Sequence, residues 1–107
     1  MNPQIKEIIR RVVSAAQPER VILFGSHSRG EAGKDSDVDL LVIEQEPFGP
    51  GRSRMAEIGR LEMAIGNIPL PTDILVYSQE EAERFRHAMN HVVCRAFKEG
   101  LVVYARP

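Results

Sequence analysis

The sequence predicts an α/β (α+β) fold, with a small mixed β-sheet flanked by helices. Helical and strand-like segments alternate along the chain, which is typical of this class. The segments 20–24 and 37–43 are almost continuously apolar, as expected for strands buried on both faces. A helical segment at 53–65 separates the second strand from a third at 72–77, which is a suitable length for a crossover between parallel strands.

Size and composition predict one ordinary domain. The chain has 107 residues, which is the usual size of a single domain, so we expect one domain over residues 1–107. Its net charge of -1 provides no global field to attract nucleic acid or a membrane surface. No apolar run approaches the roughly 20 residues that span a bilayer, and Cys94 has no second cysteine to pair with. We therefore expect a soluble cytoplasmic protein without a membrane or nucleic-acid partner, and homo-oligomer formation stays open.

The first helix is predicted from residue 3 to residue 16. Asn2 is a suitable N-cap, Pro3 suits the first helical position, and Pro18 ends the helix. One face is apolar at helical spacing: Ile5, Ile8, Ile9, Val12, Val13 and Ala16.

The next segment carries the first two strands. A strand over Arg20–Phe24 ends at Gly25, and one or two helical turns are expected over residues 28–33. Residues 34–36 read as a turn, which leads into the second strand over residues 37–43.

A loop rich in proline and glycine occupies residues 47–52, after which Ser53 caps a helix to Ile65. The segment 49–54 carries Arg52 and Arg54, and two interpretations of it stay open: a cover for substrate or a partner contact, and a solvated connector.

The last third of the chain predicts a helical region and a closing strand. Ser78 and Glu81 have the spacing of a capping box, so a helix begins there, bends or breaks near Asn90 and ends at Gly100. Residues 101–104 form the final short strand. His87 and His91 stand four residues apart, but a zinc site is disfavoured because no third ligand is evident.

Two carboxylates at the start of the second strand indicate a metal site. Side chains two residues apart on a strand point to the same face, so Asp37 and Asp39 project together while Val38 points into the core. Two such charges repel each other unless a cation neutralises them. Oxygen ligands without nearby histidine or cysteine favour Mg²⁺ or Mn²⁺, and two Mg²⁺ ions are expected.

The Gly25-Ser26 turn indicates a phosphate site. Gly25 permits a sharp turn and a close backbone approach, and the Ser26 hydroxyl and following N–H groups suit a phosphate. Arg29 is placed to add a charge-assisted contact to the same group.

Asp73, at the start of the third strand, is the candidate third carboxylate. A parallel arrangement of the second and third strands places Asp73 beside Asp37 and Asp39. Ser26 follows the end of the first strand, so it reaches the same place only if that strand runs antiparallel to the second. Convergence of these residues therefore predicts a mixed sheet.

These segments resemble a known family. The runs LFGSHSRGEA at 23–32 and SDVDLLV at 36–42 are similar to the signature of the minimal nucleotidyltransferases, within the DNA polymerase beta-like nucleotidyltransferase superfamily. The run TDILV at 72–76 resembles their third-carboxylate strand, and EGLVVY at 99–104 extends the likeness over nearly the whole chain.

The resemblance implies a nucleotidyltransferase fold and a set of roles. Asp37 and Asp39 would bind Mg²⁺ that coordinates ATP, Gly25 and Ser26 would hold the phosphates, and Asp73 would be a metal ligand or base beside the acceptor hydroxyl. The resemblance also implies a HEPN-domain partner, since such proteins are typically encoded with one, and in several such pairs the relative is an antitoxin that transfers AMP from ATP to a tyrosine of the HEPN toxin. Two alternatives stay open: an antitoxin that acts by binding and occlusion, and a transferase for a small-molecule acceptor.

Overall fold

The computed structural model describes residues 1–33 and 36–107, and these residues form a four-stranded sheet with helices on both faces. Lys34 and Asp35, in the turn predicted at 34–36, lie outside the described residues.

The first helix and strand lie where their sequence signals place them. Helix α1 spans Pro3–Ala16, and the Asn2 side chain accepts a hydrogen bond from the backbone N–H of Gln4 at 2.6 Å. Strand β1 spans Arg20–Phe24. Capping chemistry is local, so the start of α1 could be predicted without knowledge of the fold.

The short helix after β1 differs from the prediction. Helix α2 spans Ser26–Arg29, so the helical turns expected over 28–33 were placed too late. Gly25 has φ 74° and ψ -158°, which turns the chain directly out of β1, and Gly30 ends the helix in the left-handed conformation. The Ser28 hydroxyl donates to the Gly25 carbonyl at 2.7 Å and closes the turn.

Strand β2 spans Val38–Glu44, one residue later at each end than predicted. Pairing sets the start, because the Val38 N–H donates to the Pro71 carbonyl at 2.8 Å where the third strand approaches. Asp37 therefore lies just before the strand.

The rest of the chain follows the predicted order. Ser53 caps helix α3, which spans Arg54–Ile65, and its hydroxyl accepts from the Ala56 N–H at 3.1 Å. The remaining elements are strand β3 (Thr72–Ser78), helix α4 (Gln79–Phe85), helix α5 (Val92–Glu99) and strand β4 (Leu101–Ala105). The capping box at α4 and the break near Asn90 are both confirmed, since Asn90 has φ 71° between the two helices.

The strand order is β3-β2-β1-β4. Strands β2 and β3 are parallel, whereas β1 is antiparallel to both β2 and β4. This confirms the mixed sheet that convergence of the candidate residues requires.

Each face of the sheet has its own apolar core. Helices α1 and α3 cover one face, where the buried residues include Val12, Leu23, Leu40, Leu61 and Val76. Helices α4 and α5 cover the other, where they include Ile22, Leu41, Ile43, Ala82 and Val93. Among the described residues, no helix combines the length and the apolar character needed to cross a membrane.

Candidate active site

Asp39 and Asp73 occupy the same register position on the parallel strands β2 and β3. Residues paired in this way point to the same face of a sheet. The next residues on this face, Leu41 and Leu75, pack toward α4 and α5, whereas Val38 belongs to the opposite core. The two carboxylates therefore lie beyond the part of this face that the helices cover, with Asp39 half-buried and Asp73 exposed.

The electrostatic environment of Asp39 shows that negative charge converges here. Burial raises the pKa of the Asp39 carboxyl above its usual value, and the charges of Asp73 and Asp37 raise it further. His27 and Arg29 oppose that rise in the pKa of Asp39. Asp37, Asp39 and Asp73 thus act on each other as a cluster that a cation would stabilise.

The Gly25-Ser26 turn lies against the same cluster. Phe24 pairs with Asp39 across β1 and β2, so the chain leaves β1 beside that carboxylate. A Cβ atom built on Gly25 would overlap the Asp39 Oδ2 atom, which shows how closely the backbone approaches. Ser26 begins α2 and is half-buried at this edge of the sheet. The serine turn and the carboxylates therefore meet, as the predicted topology requires.

Arg29 lies at the end of α2. Its guanidinium pairs with Glu31 at 3.1 Å, and its side chain is 43% exposed. It lowers the pKa of Asp39. Its contact with phosphate stays a prediction.

The donor atoms of the carboxylates suit a divalent cation. They offer oxygen donors alone, which Mg²⁺ and Mn²⁺ prefer. Within residues 1–33 and 36–107, no three His, Cys, Asp or Glu side chains lie close enough together to hold a metal ion as they stand. The backbone register brings the carboxylates to one place, and side-chain rotation would have to close them around an ion.

His87 and His91 do not form the single-helix pair that their spacing suggests. His91 precedes α5, where its Nδ1 accepts from the Val93 N–H at 3.0 Å. Its ring stacks on Phe85 with centroids 4.2 Å apart and an interplanar angle of 3°. His87 lies in the turn after α4. The helix is interrupted between α4 and α5, and both histidines lie in this interruption. The spacing of residues on a continuous helix therefore does not apply to them.

The 47–52 loop lies at the other end of β2. Arg52 pairs with Glu44, Arg54 pairs with Glu81, and the two guanidiniums lie 4.2 and 4.7 Å from the Phe48 ring centroid. The seven residues of β2 span roughly 20 Å between this loop and the carboxylates. The structure therefore favours a fixed connector over a cover for this site.

One contact at the site could not be read from the sequence. His27 Nε2 lies 3.0 Å from the Ser36 carbonyl oxygen and joins α2 to the segment that enters β2. His27 is half-buried. No local motif indicates this contact, because its partners are brought together by the pairing of β1 with β2.

Comparison with known proteins identifies the family. Residues 4–104 match the nucleotidyltransferase domain family. A structure described as a "putative minimal nucleotidyltransferase" is 30% identical, with a TM-score of 0.58, and the match covers 92% of this chain and 93% of that one. A "putative nucleotidyltransferase" from Sulfolobus solfataricus is 25% identical, with a TM-score of 0.59 and coverage of 96% and 78%.

Two further matches are more limited. A toxin–antitoxin structure with AMP-PNP shares the fold at 20% identity, with a TM-score of 0.56 and coverage of 98% of this chain and 75% of that one. A Methanocaldococcus jannaschii protein named "Putative protein adenylyltransferase" is 54% identical over 28 residues, which are 26% of this chain and 28% of that protein. This chain therefore aligns with little more than a quarter of that curated relative.

The family match over residues 4–104, the mixed sheet and the nearly complete overlap with a minimal relative agree with one another. This chain belongs to the nucleotidyltransferase domain family, as a minimal nucleotidyltransferase.

Proposed function

We propose that this protein is a Mg²⁺-dependent nucleotidyltransferase that moves AMP from ATP to a hydroxyl group of a partner protein. The observation that carries the proposal is the shared register of Asp39 and Asp73 with the Gly25 backbone against Asp39. It puts the Gly25-Ser26 turn and the carboxylates at one edge of the sheet.

The relatives support the choice of nucleotide and acceptor. The curated relative carries the name of a protein adenylyltransferase, and a fold neighbour is a toxin–antitoxin complex with an ATP analogue. The relatives support a protein acceptor and a toxin partner, and the resemblance to the minimal nucleotidyltransferases adds the finer proposal: the partner is a toxin of the HEPN type, the acceptor is one of its tyrosine hydroxyls, and the protein acts as an antitoxin.

Each residue at the site has a role in this proposal. Asp37 and Asp39, with Asp73 as a third ligand or as a base, would hold Mg²⁺, which neutralises phosphate charge when it is bound. The Ser26 hydroxyl and the N–H groups after Gly25 would bind the phosphates, and Arg29 would add a charge-assisted contact.

The transfer itself exchanges one phosphorus–oxygen bond for another. The acceptor oxygen bonds to the α-phosphorus, the bond from that phosphorus to the bridging oxygen breaks, and pyrophosphate leaves. Asp73 is exposed, so its carboxylate is open to receive the proton of an incoming hydroxyl.

The test uses ATP labelled at the α-phosphate, Mg²⁺ and the protein encoded by the neighbouring reading frame. We expect label on the partner with the wild type, none with Asp39→Asn, and none when the label is at the γ-phosphate. Glu83→Gln is the control, since Glu83 is exposed on α4 and pairs only with Arg86 among the described residues.

The two alternatives give different results. A variant carrying both Asp37→Asn and Asp39→Asn that still neutralises the partner would indicate occlusion without catalysis. Label that moves to a small hydroxylated molecule in the absence of any partner would indicate a small-molecule transferase. Either result overturns the proposed acceptor.

A further inference from the structure

Asp37 is the one proposed cation ligand that no strand holds in place. Strand β2 begins at Val38, so Asp37 lies just outside the ladder and is exposed. A carboxylate in that position needs other contacts to stay beside Asp39.

Two hydrogen bonds hold the backbone on either side of Asp37. After it, the Val38 N–H donates to the Pro71 carbonyl at 2.8 Å, which ties the chain to the start of β3. Before it, the Ser36 carbonyl oxygen lies 3.0 Å from His27 Nε2. The backbone on either side of Asp37 is therefore held by hydrogen bonds, to Pro71 just before β3 and to His27 in α2.

The link from Ser36 to α2 depends on one side chain, that of His27. A carbonyl oxygen only accepts, so His27 Nε2 must carry the hydrogen and donate it. The Ser36 hydroxyl in turn accepts from the Gly33 N–H at 2.9 Å, which ties the same residue back to the segment after α2. His27 thus connects the Gly25-Ser26 turn with the approach to β2.

We infer that His27 is a positioning residue that holds Asp37 in place through the Ser36 carbonyl and thereby sets the affinity of the site for a divalent cation. This inference rests on the proposed function, because it assumes that Asp37 is a ligand. Groups that orient a ligand from outside the coordination sphere typically change metal affinity by about 10–100-fold.

A competing explanation is that His27 acts by its charge. His27 lowers the pKa of Asp39, so an electrostatic effect lost with the imidazole could change cation binding without any movement of Asp37. Variants that change the N–H donor, the ring and the charge separately distinguish positioning of Asp37 from an electrostatic effect. His27→Gln keeps an N–H donor and cannot carry charge, His27→Phe keeps the ring without a donor, and His27→Ala removes all three properties.

The probe is Mn²⁺, titrated in the presence of a non-hydrolysable ATP analogue and followed by the paramagnetic signal of the free ion. We expect His27→Phe and His27→Ala to raise the Mn²⁺ dissociation constant about tenfold. We expect His27→Gln to stay within about threefold of the wild type. His87→Ala is the matched control, because His87 is exposed in the turn after α4.

Two further readouts separate positioning from general damage. In the transfer assay, His27→Phe should raise the Mg²⁺ concentration that gives half-maximal rate, while the rate at saturating Mg²⁺ stays near that of the wild type. Thermal unfolding without metal should show His27→Phe folded, and its ring bulk makes it the variant to rely on if His27→Ala unfolds.

The inference is overturned if His27→Phe binds Mn²⁺ as tightly as the wild type, or if His27→Gln loses as much affinity as His27→Ala. If the wild type itself shows no saturable Mn²⁺ binding, the proposed function and this inference fall together. Normal wild-type binding with an unaffected His27→Phe variant overturns the inference alone.

Discussion

The backbone of Gly25 lies directly against the carboxylate of Asp39. A Cβ atom at Gly25 would overlap the Asp39 Oδ2 atom, and the Gly25 backbone adopts φ 74° and ψ -158°. This conformation is essentially restricted to glycine. Glycine is therefore required at this position for two reasons: its backbone conformation and its contact with Asp39.

Gly25→Ala should lower transfer activity about 100-fold, because a displacement of the carboxylate of about 1 Å has effects of that size. It should also destabilise the fold by about 1–3 kcal/mol through backbone strain. The measurements are label transfer and urea unfolding on the same preparation. Gly30→Ala is the control, since Gly30 has φ 71° but nothing within 4 Å of its added Cβ. Equal loss of activity in both variants would mean that the contact with Asp39 is irrelevant.

Asp39→Asn should raise the melting temperature of the metal-free protein. Burial and the charges of Asp73 and Asp37 raise the pKa of Asp39, so its ionised form is unfavourable in the fold at neutral pH. The amide has nearly the same shape and no charge. Thermal unfolding in a chelator tests this, and Mg²⁺ with nucleotide should then stabilise the wild type but not the variant. A lower melting temperature in the chelator would contradict the repulsion argument.

Glu44 should make stability fall as the pH rises. It is 4% exposed, and its Oε2 accepts from no described donor. Burial, then the hydrogen bond and charge of Glu57, raise the pKa of Glu44 from 4.5 to about 7, although Arg52 opposes the rise. Between these two values the folded protein keeps a proton that the unfolded chain releases, so stability decreases across that window and levels off above about pH 7.

Glu44→Gln mimics the protonated form and should flatten this dependence. The variant should equal the wild type near about pH 5 and exceed it near about pH 8. Urea midpoints across that range give the comparison. Glu57→Gln is the contrasting variant, because hydrogen bonding to Arg60 lowers the pKa of Glu57, and its loss should destabilise the protein at both pH values. If the urea midpoint of the wild type does not change with pH over this range, the raised pKa of Glu44 beside Glu57 is refuted.

Arg54→Lys should destabilise the protein by about 1–3 kcal/mol without affecting cation binding. The Arg54 guanidinium pairs with Glu81, donates to the Val76 carbonyl at 2.7 Å and lies 4.9 Å from the Tyr77 ring centroid. An ammonium group cannot make all of these contacts at once. Its position at the far end of β2 from the carboxylates explains the expected lack of effect on cations.

The matched control for that variant is Arg84→Lys. Arg84 pairs with Glu80 on the surface of α4 and is 60% exposed, so its replacement should cost less than about 0.5 kcal/mol. Urea unfolding of both variants decides the comparison. Similar losses would show that the planar guanidinium of Arg54 contributes nothing special.

The sequence by itself determined the elements whose signals are local. Asn2 and Pro3 begin α1, Ser53 begins α3, and the Ser78–Glu81 capping box begins α4, all as predicted. These boundaries depend on hydrogen bonds between residues a few positions apart, so the chain specifies them before it folds. The parallel pairing of β2 with β3 could also be inferred, because α3 has the length of a crossover.

Only the tertiary structure decided where neighbouring segments meet. The start of β2 at Val38 depends on Pro71, the link from His27 depends on the Ser36 carbonyl, and the burial of Glu44 brings it against Glu57. Each contact joins residues of different segments, which come together only when the sheet forms. Such contacts leave no periodicity or spacing in the sequence, because their geometry arises from the packing of whole elements.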